Sequence, residues 1–169
     1  MLCNVAEADP FGPVGGAHFQ ASKVASSHAV RFVPLVANSQ VLCVDEVLES
    51  LASAWVALGR NPLIVDAAST SPHVSATSAL DLGACVQTFA GSAAYLAAGD
   101  LPRRHVDTHG SAARMLTELQ RAAPHADTIV VHADATDLAR IFKHRQAQPL
   151  LMAVDEPESL KQAYAGWKW

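Results

Sequence analysis

Beyond about residue 28 the chain falls into short apolar runs separated by stretches in which apolar residues recur every three or four positions. The first spacing is that of a buried strand and the second that of an amphipathic helix. Strands are expected at residues 30–37, 63–66, 84–89, 128–132 and 149–154. The firmest helix is 44–58, where Val44, Val47, Leu48, Leu51, Trp55 and Leu58 share one face and Gly59 supplies the stop. A second spans 111–122, opened by Gly110-Ser111 and closed before Pro124. Alternating strands and helices imply an α/β fold of the doubly wound kind, a mostly parallel sheet with helices on both faces. Residues 1–28 carry Pro10, Gly12, Pro13, Gly15 and Gly16 with little apolar periodicity and read as a flexible N-terminal arm, leaving 29–169 as one α/β domain.

Composition narrows the function classes. Half of the 169 residues are apolar, enough for one substantial core. Twelve Lys and Arg against sixteen Asp and Glu, dispersed except at Arg103-Arg104 and Lys143 to Arg145, give no basic stripe for nucleic acid. No apolar run reaches the roughly 18 to 20 residues that a membrane span needs, so no stable membrane insertion is expected. Cys3, Cys43 and Cys85 have no C-x-x-C spacing, and the last two stand in apolar segments as small hydrophobes, which fits a reducing cytoplasm.

The stretch from Leu51 to Ala67, LASAWVALGRNPLIVDA, resembles the helix and strand that follow the phosphate loop in the MinD/ParA group of P-loop ATPases. Asp155 to Lys168, DEPESLKQAYAGWK, is similar to a segment of that group's flagellar-number branch, FlhG (FleN), in which a proline-containing acidic turn leads into a helix with an Ala-Tyr-Ala step, here Ala163-Tyr164-Ala165. The rhythm of GSAARMLTELQRAAPHADTIVVHADA between them is also the family's, and the resemblance covers residues 31–169. It implies a P-loop NTPase-like sheet, truncated because the family continues past Trp169 with further strands and a membrane-targeting helix.

Carried over residue by residue, the resemblance implies a degenerate nucleotide site. The phosphate loop falls on Gln40, Val41, Leu42, Cys43, Val44, Asp45 and Glu46, with no glycine and no lysine. Glycines let the backbone approach phosphates, and the lysine neutralises them. Asp45 and Glu46 instead put two carboxylates at a helix N-terminus where the anion would sit. Of the family's Asp-x-Asp after the next strand, Asp66 remains and Ala68 replaces the second carboxylate. His132 stands where the metal-side aspartate ends the central strand. With all three parts altered, no ATP hydrolysis and no cofactor are expected. The apolar Val41-Leu42-Cys43-Val44 should fold inward and fill the vacant pocket, the alternative being an interface.

Other constellations carry less. His105, Asp107 and His109 suggest a metal, but Pro102 and Gly110 deny them the helix that would bring both rings together, so no metal is expected. His132 and Asp134 could form an oriented base, although no nucleophile elbow accompanies them. Asp66 is expected to cap the turn that follows its strand, and Ser69 opens a serine-rich loop at the carboxyl edge, where ligands of open α/β sheets bind. Phe19 to Val24 only faintly echoes the family's partner-binding helix, and Trp167 with Trp169 is either core or partner surface. The expected function is that of a non-hydrolysing MinD/FlhG-like binding or regulatory protein in placement or assembly of a cell-surface machine such as the flagellum. A protein partner is expected, with a homodimer as another mode of association. The alternatives are an enzyme acting on a small molecule at the sheet's carboxyl edge, using Asp66, Ser69, Ser71 and His132, and a weak nucleotide sensor.

Overall fold

A computed structural model describes residues 29–71, 81–89, 91 and 93–166. The arm at 1–28, most of the serine-rich loop and the terminal tryptophans lie outside the described residues. Strand β1 (Arg31–Val36) leads into helix α1 (Val44–Ala57), followed by β2 (Pro62–Asp66), a single 3-10 turn (Gly83–Cys85), β3 (Gln87–Phe89) and β4 (Ala93–Ala97). A short helix α2 (Leu101–Arg104), α3 (Arg114–Ala122), β5 (Thr128–Ala133), α4 (Ala135–Ile141), β6 (Leu150–Leu151) and α5 (Pro157–Gly166) complete the order. The sheet runs β3-β4-β2-β5-β1-β6, parallel throughout except where β3 pairs antiparallel with β4.

The period-two alternation of the inner strands builds two cores. Leu63, Val65, Ile129 and Val131 point to the face covered by Met115, Leu116 and Leu119 of α3 and by Leu138 and Ile141 of α4. Val33, Leu35, Ile64, Tyr95 and Val130 point to the opposite face, where Leu48 and Ala52 of α1 seal them. Strands buried on both sides read as continuous apolar runs, which is why β1, β2 and β5 were visible in the sequence.

Four expectations are corrected. No strand is expected between residues 89 and 128, but Ala93–Ala97 is an inner strand between β2 and β3. Only the second half of 84–89 is extended, and 149–154 shrinks to the two residues of β6. Leu58 caps α1 and lies exposed, because Gly59 takes a left-handed φ of 72° there and turns the chain away from the core.

Asn38 closes the structure from the end of β1. Its side-chain amide donates to the carbonyl oxygens of Met152 (2.9 Å) and Ser159 (3.1 Å) and to Ser159 Oγ (3.1 Å), while its Oδ1 accepts the N–H of Gln40. Ser159 Oγ in turn accepts the N–H of Val154, so one buried polar knot ties the β1–α1 loop to β6 and α5. Close packing of α5 depends on Gly166, where a Cβ would stand 2.7 Å from Val36 Cγ1.

Candidate functional site

Four chain segments meet at the carboxyl edge on the α1 side of the sheet. Register places Asp66 of β2 beside His132 of β5, and His132 beside Leu35 of β1. Tyr95 of β4 pairs with Ile64, two residues before Asp66, so its ring projects on the same face as the carboxylate.

Asp66 is the hub. His132 Nδ1 is 2.8 Å from its Oδ1, and the hydroxyls of Tyr95 (3.1 Å) and Ser71 donate to its Oδ2. The N–H of Ala68 approaches Oδ1 at 3.4 Å, so the carboxylate also caps the turn after β2, as expected. Asp66 and His132 are each only 1% exposed. Burial by itself would raise the Asp66 carboxyl, but the hydrogen bonds from His132 and Ser71, the His132 charge and the Ala68 amide outweigh it and hold the group below its ordinary value. The same burial, followed by the charge of Asp66 and its hydrogen bond, raises the Tyr95 phenol, and Asp45 adds to the effect. With Nδ1–H turned to Asp66, His132 Nε2 is the one buried side-chain polar atom among the described residues without a partner.

His132 does not use Asp134. The partner suggested by their proximity in sequence is corrected to Asp66, which lies 66 positions away. Asp134 instead accepts the N–H of Ser69 at 3.3 Å, linking the β2 and β5 ends, and its carbonyl starts α4. Ala68 is buried beside this link and brings no functional group.

Residues 40–46, which the resemblance assigns to a phosphate loop, lie directly beyond β1 at the same edge. The N–H of Gln40 is taken by Asn38 Oδ1 and that of Val41 by the Asn38 carbonyl at 3.0 Å, so the first amides of the loop turn inward to protein acceptors. Val41 packs into the α1-side core. Leu42 does the reverse, standing 95% exposed, and Cys43 is exposed beside it. The expectation that all four apolar residues fold inward, and that Cys43 acts as a buried hydrophobe, is corrected at Leu42 and Cys43: the turn closed on Asn38 aims Val41 at the core and the start of α1 lays Val44 against it, leaving the two residues between them outside. Asp45 and Glu46 occupy the first turn of α1, where Cys43 makes no side-chain cap. Their charge meets the N-terminal partial charge of the helix, each such contact contributing about 0.3 to 1 kcal/mol.

The histidine pair in the loop after α2 does not converge. His105 Nε2 faces Glu118 of α3 at 3.3 Å, while Asp107 accepts the backbone N–H groups of His109 and Ser111, both at 2.9 Å. The Ser111 amide is foremost among the groups that hold the Asp107 carboxyl below its ordinary value. Among the described residues no three His, Cys, Asp or Glu side chains gather as metal ligands.

Searched against protein-family models and curated proteins, the chain matches none. The site must therefore be read from its own chemistry. Asn38 and Tyr95 are the parts that motif reading missed, whereas Ser71 was already among the candidates at this edge. Asn38 could have been suspected from its place at the end of a strand, where Asx side chains bond to amides two residues on. Tyr95 sits in a run of alanines that gives no strand signal. No helix among the described residues is long and apolar enough to cross a membrane.

Proposed function

We propose that this chain is a non-hydrolysing relative of the MinD/ParA ATPases, closest to the flagellar-number branch, and that it regulates placement or assembly of a surface machine by binding a protein partner. One observation carries the reading: the three positions that the resemblance assigns to a nucleotide pocket come together at one sheet edge, and each is occupied by protein. The loop amides of Gln40 and Val41 are held by Asn38, Val41 enters the core, and the Asp66–His132 pair with Tyr95 is buried at the strand ends. Phosphates bind through inward-facing amides and a lysine; this loop has no lysine, and its first two amides are already bonded to Asn38.

Calorimetry with ATP and magnesium is expected to give no saturable binding at this edge. It should be repeated with Arg31→Ala/Arg60→Ala protein, so that an anion held at the opposite edge is not counted. A micromolar dissociation constant retained in that variant would overturn the proposal, since about 8 kcal/mol must come from real phosphate contacts.

Leu42 is the residue through which such a domain would act. A leucine this exposed at the tip of a strand-to-helix loop costs the folded chain nothing when made polar, so Leu42→Asp should change unfolding free energy by no more than about 0.5 kcal/mol. The same substitution should alter the number or position of flagella in cells that carry it. Filament counts indistinguishable from those of the parent strain would remove Leu42 from the proposed interface.

A further inference from the structure

A cavity of about 360 Å³ opens at the amino edge of the sheet, at the other end of α1 from the loop just described. The 14 residues of α1 separate the two places by about 20 Å at a rise of about 1.5 Å per residue. Its walls bring together Arg31 at the start of β1, Trp55 and Arg60 around the last turn of α1, and Asp127 with Thr128 at the start of β5.

Local structure aims these residues at one space. Arg31 and Thr128 are register partners, and both belong to the α1-facing set of their strands. The left-handed Gly59 folds the chain back after α1, so that the Arg60 N–H bonds to the Trp55 carbonyl at 3.0 Å and the two residues border the same cavity. Asp127 is fixed from two sides, accepting the N–H of Asn61 (3.2 Å) and the hydroxyl of Thr128 (2.9 Å). Neither guanidinium makes an ion pair or a side-chain hydrogen bond among the described residues. Two cations therefore face one anchored carboxylate, leaving the cavity with a net positive charge beside a half-buried indole.

We propose that this cavity binds a small aromatic oxyanion, a flat ring carrying a phosphate or carboxylate. The volume lies in the range of small-molecule sites. Guanidinium forks match the geometry of phosphate and carboxylate oxygens and accept them as paired hydrogen bonds. Trp55 supplies the apolar plane on which a ring stacks. The charge count favours a ligand with an excess of one or two negative charges, and Asp127 can receive a hydroxyl or N–H donor from it.

Titration of the full chain with phenyl phosphate, benzoate, inorganic phosphate and benzyl alcohol, followed by calorimetry, tests this. Phenyl phosphate or benzoate should saturate the site at submillimolar concentration, and which of them binds tighter identifies the oxyanion. Inorganic phosphate should bind at least about tenfold more weakly and benzyl alcohol not measurably, a tenfold step being about 1.4 kcal/mol. Arg31→Ala and Arg60→Ala, both exposed positions, should each weaken the aromatic anion about tenfold or more. Trp55→Leu should bring its affinity down to that of inorganic phosphate.

No saturation by either aromatic anion up to about ten millimolar, above the range of weak specific binding, overturns the proposal. Binding that survives both arginine substitutions does the same. If Arg60 serves only to offset the carbonyl end of α1, Arg60→Ala will lower the melting temperature while no probe binds, which also refutes the site.

Discussion

Asp66→Ala is expected to lower the unfolding free energy by about 3 to 5 kcal/mol, because several buried donors each lose an acceptor at about 1 to 3 kcal/mol apiece. The carboxylate is the acceptor for His132, Tyr95 and Ser71, so its loss leaves three donors without their partner at the strand ends. The companion His132→Leu should cost less than Asp66→Ala, because it also removes the unpartnered Nε2. The double variant Asp66→Ala/His132→Leu should recover part of the loss, since an apolar pair leaves no unsatisfied imidazole between the strands. Urea titrations of the four proteins check this, and strict additivity of the two single losses would mean that the residues do not act as a pair.

The same carboxylate sets an acid limb. Its folded value lies below 3.8, the ordinary aspartate value, so as pH falls the unfolded chain takes up the proton first. Its contribution is therefore complete above the unfolded value and is lost as pH drops from about 3.8 through the folded one. Asp66→Asn, which cannot titrate, should show a shallower loss of stability over that acidic interval.

Asn38→Ala is the second large effect, expected at about 2 to 3 kcal/mol because it leaves the buried carbonyls of Met152 and Ser159 and the Gln40 amide to find new partners. Its signature should be local as well as global. Amide exchange should accelerate in α5 more than in β2 or β5, because Asn38 is the knot between the loop after β1 and the C-terminal elements. Unaltered exchange in α5 would show that the helix is held by its apolar contacts alone.

How far the sequence could be read follows from which signals are local. The periodicity of α1 and the β-branched runs of β1, β2 and β5 are local, and each appears within a residue or two of its expected place. β4 is not, because alanines carry no strand preference and become extended here only by being sandwiched between β2 and β3. Asp66 and His132 could each be singled out, but their pairing depends on β5 inserting beside β2, which no short-range pattern encodes. Leu42 was misplaced because hydrophobicity alone was used to aim it. The direction of its side chain is decided by the turn that Asn38 closes, which turns Val41 inward and Leu42 out.

The outermost strands have only three residues in β3 and two in β6, against five or six in each strand between them. The edge strands themselves offer an incoming chain few amides and carbonyls to zip onto, and where β6 leaves residues 31–34 of β1 uncovered, Pro34 removes one of the donors. Self-assembly by sheet extension is thus discouraged at both sides. Among the described residues, the surface left for a partner is mainly that of side chains, on the helices and on the loops at the two ends of the strands.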